Sequence, residues 1–347
     1  MPPVGEMSPN IHTGARPRGI LSGVSASSPI LAAILRAMTI LVCGSMAFDT
    51  IMVFPDRFKN HILADQLHIL NVAFMVPSLR REFGGTAGNI AYNLKLLGEE
   101  PWIMATVGHD FDPYQQRLAG LRLSARHVRR IDEEFTAQAF ITTDIDDNQI
   151  TAFHPGAMSH SHLNAIADVN GATLAIVSPD GRQGMIEHAR DLAAAGIPYV
   201  FDPGQGLPMF SGADLLDLMR GARALAVNDY EARVVEQKTG KSVAEIAASI
   251  EAVIVTRGAE GSEVHAGGRV EQVSAVEPVG IVDPTGCGDA YRAGLLYGMA
   301  RRWGWRKSAR LASVMGSIKI AHRGGQNHSP ARDEIAQRFA ASFGETL

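Results

Sequence analysis

Cysteine is scarce in this sequence, and long apolar runs and a strong excess of one charge are missing. Its 347 residues include two cysteines, Cys43 and Cys287, which are too few and too far apart for a disulfide framework and suit a reducing cytoplasm. Neither cysteine has neighbours at the spacing of a metal site. No apolar run reaches the roughly 18 to 20 residues that cross a bilayer. We therefore expect a soluble, cytoplasmic protein without a membrane partner.

The charge balance argues against nucleic acid as a partner. The chain has 32 Lys and Arg against 36 Asp and Glu, a formal net charge of -4, and no basic run interleaved with aromatic residues. Hydrophobic residues make up 46% of the chain, which permits a large core and excludes a disordered or fibrous protein. We expect a globular monomer or homodimer with a small-molecule target.

The first 37 residues differ in composition from the rest. They are rich in Pro, Gly and Ser, and they contain Arg16, Arg18 and Arg36 but only one acid, Glu6. Transit peptides show a similar bias. Residues 39–45 follow at once and are typical of a first buried strand. We interpret residues 1–37 as a disordered extension, or as the product of a misplaced start, and residues 38–347 as one domain.

Short apolar runs alternate with helical stretches along this domain. The predicted strands cover residues 39–45, 103–107, 174–177, 199–202, 224–227 and 253–256. The predicted helices cover residues 89–97, 185–195, 213–220, 230–238 and 290–300. This order predicts an α/β fold, with a mostly parallel sheet covered by helices on both faces. Residues 51–54 and 68–81 and the hairpin-like 139–153 break the alternation and predict a second, smaller sheet.

The most informative motif is Asp-Pro-Thr-Gly-Cys-Gly-Asp at residues 283–289, directly before a helix-forming run. Its glycines let successive N–H groups turn toward one point, and the helix adds its positive N-terminal end. A transferring phosphoryl group would be stabilised there. Asp289 could remove the proton from an attacking hydroxyl group. On its own, the pattern fits an ordinary turn and helix cap equally well.

This motif resembles the anion-hole signature of the ribokinase-like carbohydrate kinases, the PfkB family, with Cys287 where Ala is usual. Three more stretches resemble signatures of that family in the family's order: residues 83–89 its substrate-side signature, residues 228–231 its NxxE element and residues 256–261 its nucleotide loop. The resemblance covers about residues 39–343. It implies a ribokinase-like three-layer α/β/α sandwich, with a lid formed by about residues 50–82 and 138–154, and an ATP- and Mg²⁺-dependent kinase.

The resemblance also implies roles for particular residues. The catalytic set would be the base Asp289 with the anion-hole residues Gly286, Cys287 and Gly288. The substrate would contact Asp49, Gly85, Asn89, Gln149 and Asp289. The nucleotide would contact Asn228, Thr256, Gly258, Gly261, Gly286, Gly288 and Ser313. Metal sites would use Glu231 for Mg²⁺ through water, and Asp283 and Thr285, with backbone carbonyls near residues 322–325, for an activating monovalent cation such as K⁺.

Several of these residues also fit simpler roles. Asn228 followed three residues later by Glu231 is a helix capping pattern, and Asp49 could cap a turn. Residues 256–261 could be only a turn after a strand. Cys287 at a helix N-terminus could have a lowered pKa and act as a redox switch. Residues 240–242 are not a P-loop, because Val235 stands where that motif needs its first glycine.

Catalytic motifs cannot choose the acceptor, because sugar kinases and nucleoside kinases of the family share them. Residues 147–158, 201–205 and 289–294 resemble the microbial nucleoside kinases and adenosine kinases of the family. The resemblance thus implies an ATP-dependent nucleoside kinase of purine salvage, with adenosine as the expected acceptor and AMP as the product. The alternatives are a sugar kinase of the ribokinase or fructokinase type and a non-catalytic nucleoside sensor.

Overall fold

The computed structural model describes residue 1 and residues 38–62, 71–146 and 148–347. Residues 38–347 cluster as one unit. The predicted extension at residues 2–37, and the predicted lid residues 63–70 and 147, lie outside the described residues. In the described part of the chain, no helix combines the length and apolar composition needed to cross a membrane.

The described strands and helices alternate along much of the chain, and strands follow one another without an intervening α-helix at residues 40–84, 124–177 and 252–273. The strands are β1 (Ile40–Cys43), β2 (Ala47–Val53), β3 (Ser78–Gly84), β4 (Trp102–Val107), β5 (Ser124–Arg130), β6 (Ala137–Thr143), β7 (Gln149–His154), β8 (Leu174–Val177), β9 (Tyr199–Phe201), β10 (Ala224–Asn228), β11 (Ala252–Thr256), β12 (Ser262–Ala266) and β13 (Arg269–Val273). The α-helices are α1 (Thr86–Leu96), α2 (Asp112–Gly120), α3 (Arg182–Ala194), α4 (Gly212–Arg220), α5 (Asp229–Thr239), α6 (Val243–Ala247), α7 (Cys287–Ala300), α8 (Trp305–Lys319) and α9 (Arg332–Phe343).

Among the described residues, nine strands form the main sheet in the order β13-β12-β11-β10-β9-β8-β1-β4-β5. The strands from β11 to β5 are parallel to one another. At one edge, β12 and β13 are antiparallel. An antiparallel edge on a parallel sheet is common in doubly wound folds.

Strand β1 shows why helices cover both faces of the main sheet. Ile40 and Val42 are buried in one cluster with residues of α1, α7, α8 and α9, whereas Leu41 and Cys43 are buried in another with residues of α3, α4 and α5. Neighbouring residues of a strand point to opposite faces, so a strand that is apolar throughout needs a helix layer on each side. The predicted three-layer sandwich is confirmed.

Four strands of the described chain form the predicted second sheet, in the order β3-β2-β6-β7. Every residue of β7 is exposed. In the sequence, Asp49 follows the predicted first strand, residues 39–45, and could cap a turn there. The structure differs here, because β1 ends at Cys43 and Asp49 lies within β2 of the small sheet.

Two helices begin earlier than predicted, and this difference positions the site. The helix predicted from residue 89 begins at Thr86, and the helix predicted from residue 290 begins at Cys287. Each follows a glycine that the sequence analysis assigned to the preceding loop. Asn89 and Asp289 therefore lie within the first four residues of α1 and α7.

Candidate functional site

The first turns of α1 and α7 meet, and they bring together two of the signatures. The residues that cap these helices, Gly85 and Gly286, have φ angles of +84° and +77°, a region that favours glycine. The Asn89 amide donates a hydrogen bond from Nδ2 to Asp289 Oδ2 at 2.8 Å. This bond joins the substrate-side signature to the anion-hole signature.

A chain of hydrogen bonds sets the orientation of the Asn89 amide. Gln326 Nε2 donates to Asn89 Oδ1 at 3.1 Å and to Tyr114 Oη at 2.6 Å, and Tyr114 Oη donates to the carbonyl of Gly84 at 2.8 Å. Because Oδ1 is used as an acceptor, the Nδ2 donor faces Asp289. The sequence analysis did not identify Gln326 or Tyr114, since nothing in their local pattern marks them.

The electrostatic setting of Asp289 suits a general base. Burial raises the pKa of Asp289 to about 7, and the Asp202 and Asp49 charges act in the same direction, while the Asn89 hydrogen bond and Arg292 oppose the shift. A base is most effective when its pKa lies near the working pH. A carboxyl group at a helix N-terminus whose pKa is raised to about 7 is typical of an active site.

The N-terminus of α7 also fits a negatively charged group. Within the described chain, the N–H groups of Gly288 and Asp289 donate to no backbone or side-chain acceptor, as expected for a first helical turn. They are available to an anion, which the helix dipole also favours. The N–H of Cys287 differs, because it donates to the Pro284 carbonyl at 3.1 Å and closes the turn.

The expectation of a lowered thiol pKa at Cys287 is wrong. Burial raises the pKa of Cys287 to about 11, and the charges of Asp283 and Asp289 oppose ionisation further, although Lys319 favours it. At neutral pH the side chain is therefore a neutral thiol. The effect of a helix N-terminus on a thiol pKa can be outweighed by burial of the thiolate and by neighbouring negative charges.

A buried ion pair one helical turn from Asp289 was missed by the sequence analysis. Arg292 donates from Nε to Asp202 Oδ2 at 3.0 Å, and from Nη2 to Asp202 Oδ1 at 3.3 Å and to the Ala226 carbonyl at 3.2 Å. The two side chains are only 6% and 7% exposed. Arg292 stands three residues after Asp289, so the two residues lie on the same helix face. This spacing is the feature of the sequence that could have pointed to Arg292.

Asp49 lies on the small sheet, level with Glu82 of β3. Burial raises its pKa to about 6, and the nearby Asp283 and Glu82 charges add to the shift. A Cβ atom at Gly84 would stand 2.5 Å from Asp49 Oδ2, so glycine leaves room beside the carboxylate. The electrostatic coupling to Asp283 places Asp49 near the anion-hole segment, as the resemblance implies.

Gln149 is not brought level with Asp49. Across the small sheet, Asp49 pairs with Ala139 of β6, and Ala139 pairs with Phe153 of β7. Gln149 stands four residues earlier on β7, about 13 Å along the strand. Phe153 therefore lies on the same face as Asp49 and at the same level, a position the sequence analysis gave no role.

The nucleotide-side residues meet at the ends of two neighbouring strands. Asn228 ends β10, and Thr256 ends β11 directly beside it. Gly258 and Gly261 lie in the next turn, where the Arg257 N–H donates to the Gly261 carbonyl at 2.8 Å. Ser313 is buried in α8, and its place beside the nucleotide stays a prediction.

The capping interpretation of Asn228 and Glu231 is correct. Asn228 Oδ1 accepts from the Glu231 N–H at 2.7 Å, and Glu231 Oε2 accepts from the Asn228 N–H at 2.8 Å. Glu231 Oε1 accepts no hydrogen bond from the described residues, so one carboxylate oxygen remains for a hydrated ion. Among the described residues, no group of three or more His, Cys, Asp or Glu could hold a metal ion. The contact of Glu231 with Mg²⁺ through water stays a prediction, with which the free carboxylate oxygen is compatible.

The predicted monovalent-cation site is different, because the Asp283 carboxylate and the carbonyls of Asp283 and His322 already accept hydrogen bonds. The carboxylate of Asp283 accepts the N–H groups of Thr285 and Gly324, both at 2.8 Å. These bonds outweigh burial and lower the pKa of Asp283. The ammonium group of Lys319 donates to the carbonyls of Asp283 and His322. These contacts place an ammonium group among the residues that were predicted to bind K⁺.

Comparison with known proteins identifies similar chains. The model of the pfkB family carbohydrate kinases matches residues 46–332. The structure of Burkholderia thailandensis nucleoside kinase in complex with inosine is similar, with a TM-score of 0.82 and 50% identity over 89% of this chain and 99% of that one. Its ADP-inosine complex gives a TM-score of 0.79 and 52% identity over 89% and 97%. The nucleoside kinase of Methanothermobacter thermautotrophicus is 30% identical over 313 residues, 88% of this chain and 96% of that protein.

Proposed function

Because the chain belongs to the pfkB family of carbohydrate kinases, and is thus a phosphotransferase with an alcohol acceptor, we propose that it transfers the γ-phosphate of ATP to the 5′-hydroxyl of a ribonucleoside. The observation that carries the proposal is the 2.8 Å hydrogen bond between Asn89 and Asp289. It sets the sugar-binding amide beside the base. A hydroxyl of a sugar held by Asn89 then lies within reach of the Asp289 carboxylate.

In this reaction Asp289 accepts the proton of the attacking hydroxyl. The free N–H groups of Gly288 and Asp289 stabilise charge on the transferring phosphoryl group, which carries most of the catalytic effect in reactions of this class. When bound, Mg²⁺ would be held by Glu231 through water and would neutralise charge on the ATP phosphates. Asn89 holds the base in place and lowers its pKa.

The small sheet would act as the lid over the acceptor. The four described strands of this sheet lie within or next to the predicted lid residues, about 50–82 and 138–154, and this supports the proposal. Exclusion of water would protect ATP from hydrolysis while the acceptor is bound. Strand β7 is exposed throughout, so it has free surface to lay against a ligand.

The acceptor is proposed to be a purine ribonucleoside, with adenosine giving AMP as the expected reaction. Phe153 supports a nucleoside over a free sugar, because it gives the face that carries Asp49 an exposed aromatic ring on which a base can stack. Inosine is the second acceptor to test, since the similar Burkholderia thailandensis enzyme was solved with it.

The test measures ADP release from ATP and Mg²⁺ with adenosine, inosine, guanosine, cytidine, ribose and fructose in turn. We expect turnover with nucleosides and little with free sugars. 5′-Deoxyadenosine is the matched control, because it keeps the base and lacks the attacking hydroxyl. Turnover with sugars alone would make the protein a sugar kinase. If none of these acceptors causes ADP release and calorimetry still shows nucleoside binding, the protein would be a nucleoside sensor.

A further inference from the structure

Lys319, the last residue of α8, is a buried cation that the proposed reaction does not use. Its exposed fraction is 0%. Lysine is rarely buried unless its ammonium group is paired, because removing the charge from water is costly. Here the partners are two backbone carbonyls: Lys319 Nζ donates to Asp283 O at 2.7 Å and to His322 O at 2.9 Å.

These two carbonyls belong to the two segments that the family resemblance links to a monovalent cation. One segment opens the anion-hole motif at Asp283, and the other is the loop after α8 that includes His322. The acidic side chain of the first segment is occupied by the N–H groups of Thr285 and Gly324. The ammonium group therefore supplies these oxygens with the positive charge that a monovalent cation from solution would otherwise supply.

We propose that the Lys319 ammonium group takes the place of a bound monovalent cation, so that this enzyme works without K⁺. An ammonium group and K⁺ carry the same charge and both bind carbonyl oxygens. A second cation among the same carbonyls would be repelled at short range, where burial weakens screening. The inference rests on the proposed kinase function only for its kinetic readout.

Lys319 is a positioning residue in this view, since its ammonium group donates to the backbone carbonyls of Asp283 and His322. The N–H groups of Val282 and Asp283 both donate to the Ile320 carbonyl, so the ammonium group adds its bonds to an existing junction. This junction holds the turn that leads into α7. Burial lowers the pKa of Lys319, and the electrostatic interactions with Cys287, Asp283 and Asp289 oppose the shift.

The first experiment needs no variant. The wild-type enzyme is assayed, and its melting temperature measured, in KCl, NaCl and N-methylglucamine chloride at equal ionic strength. We expect the rates to agree within about twofold and the melting temperatures to coincide, since no ion site depends on the salt. Activation by K⁺ of about tenfold or more, or a K⁺-specific rise in melting temperature, would overturn the proposal.

The second experiment removes the built-in charge. Lys319→Met removes the ammonium group while keeping most of the unbranched, apolar part of the side chain, and it leaves the two carbonyls free, so we expect a loss of kcat of about tenfold or more in N-methylglucamine. KCl should restore part of the rate and raise the melting temperature. The matched control is Lys238→Met, since Lys238 Nζ also donates to a backbone carbonyl, that of Phe210 at 2.6 Å.

The control should lose stability without responding to K⁺. A Lys319→Met protein that folds and behaves like Lys238→Met in every salt would contradict the proposal. If Lys319→Met fails to fold, the wild-type comparison of salts decides the question. The melting curves need no acceptor, so a silent acceptor screen would refute the proposed function and leave this inference standing on its own measurement.

Discussion

The site residues next to the main sheet and those of the small sheet differ in how buried and how hydrogen-bonded their surroundings are. At the start of α7, the proposed base Asp289 accepts the Asn89 hydrogen bond, and the buried Arg292–Asp202 pair follows one turn later; we call this the rigid region. In the small sheet, every residue of β7 is exposed. Buried polar networks fix geometry, whereas exposed strands have few contacts and open at low cost. From this difference we infer that the proposed chemistry depends on the rigid region and acceptor selection on the exposed small sheet.

The largest effect should come from the rigid region. Asp289→Asn deletes the base with little change in volume, so we expect kcat to fall by about 10³-fold while nucleoside affinity is retained. Steady-state kinetics and calorimetry measure the two separately. Asp333→Asn, in the first turn of α9, is the matched control and should leave both unchanged. A near wild-type kcat for Asp289→Asn would mean that another group is the base.

The buried ion pair should dominate the stability of this region. Arg292→Met leaves the Asp202 carboxylate buried without a partner, which typically costs about 3–5 kcal/mol of unfolding free energy. Urea unfolding measures the loss. Arg190→Met removes the exposed pair between Arg190 and Asp217 and should change stability little. Equal stability of the two variants would show that the pair does not brace the rigid region.

The pH dependence of the rate should follow the Asp289 carboxyl group. Since only the carboxylate can accept a proton, and its pKa is raised to about 7, we expect kcat/KM to rise with pH through neutrality. The Asn89 hydrogen bond lowers this pKa, so Asn89→Leu should move the acid limb to higher pH. Asn93→Ala, one turn further along α1, should leave the limb in place. If Asn89→Leu does not move the acid limb, the Asn89 hydrogen bond does not control the pKa of the group that limits the rate.

Local patterns predicted the rigid region well, because its elements are marked by their own residues. β8 was predicted at its observed bounds, since it is a buried apolar run between polar segments. The signatures at residues 83–89 and 283–289 located both helix starts to within three residues. The glycines before each helix hid the true starts, since a glycine in a loop and a glycine that caps a helix look the same in sequence.

Contacts between distant residues could not be predicted. Lys319 and Gln326 act on groups that lie far from them in the chain, and neither stands in a recognisable motif. The register of the small sheet was equally hidden, because a hairpin pattern shows that two strands pair but not which residues are level. The sequence therefore could not show that Phe153, and not Gln149, lies level with Asp49.

The smallest effect should separate these two residues in the exposed region. Phe153→Ala removes the aromatic ring beside the Asp49 face, and a stacked base contributes about 1–3 kcal/mol, so we expect KM for adenosine to rise by about tenfold with kcat little changed. Gln149→Ala, about 13 Å along the same strand, should change KM little. The opposite ranking, measured by initial rates over a range of adenosine concentrations, would show that the hairpin tip folds over the acceptor. It would also return Gln149 to the substrate site.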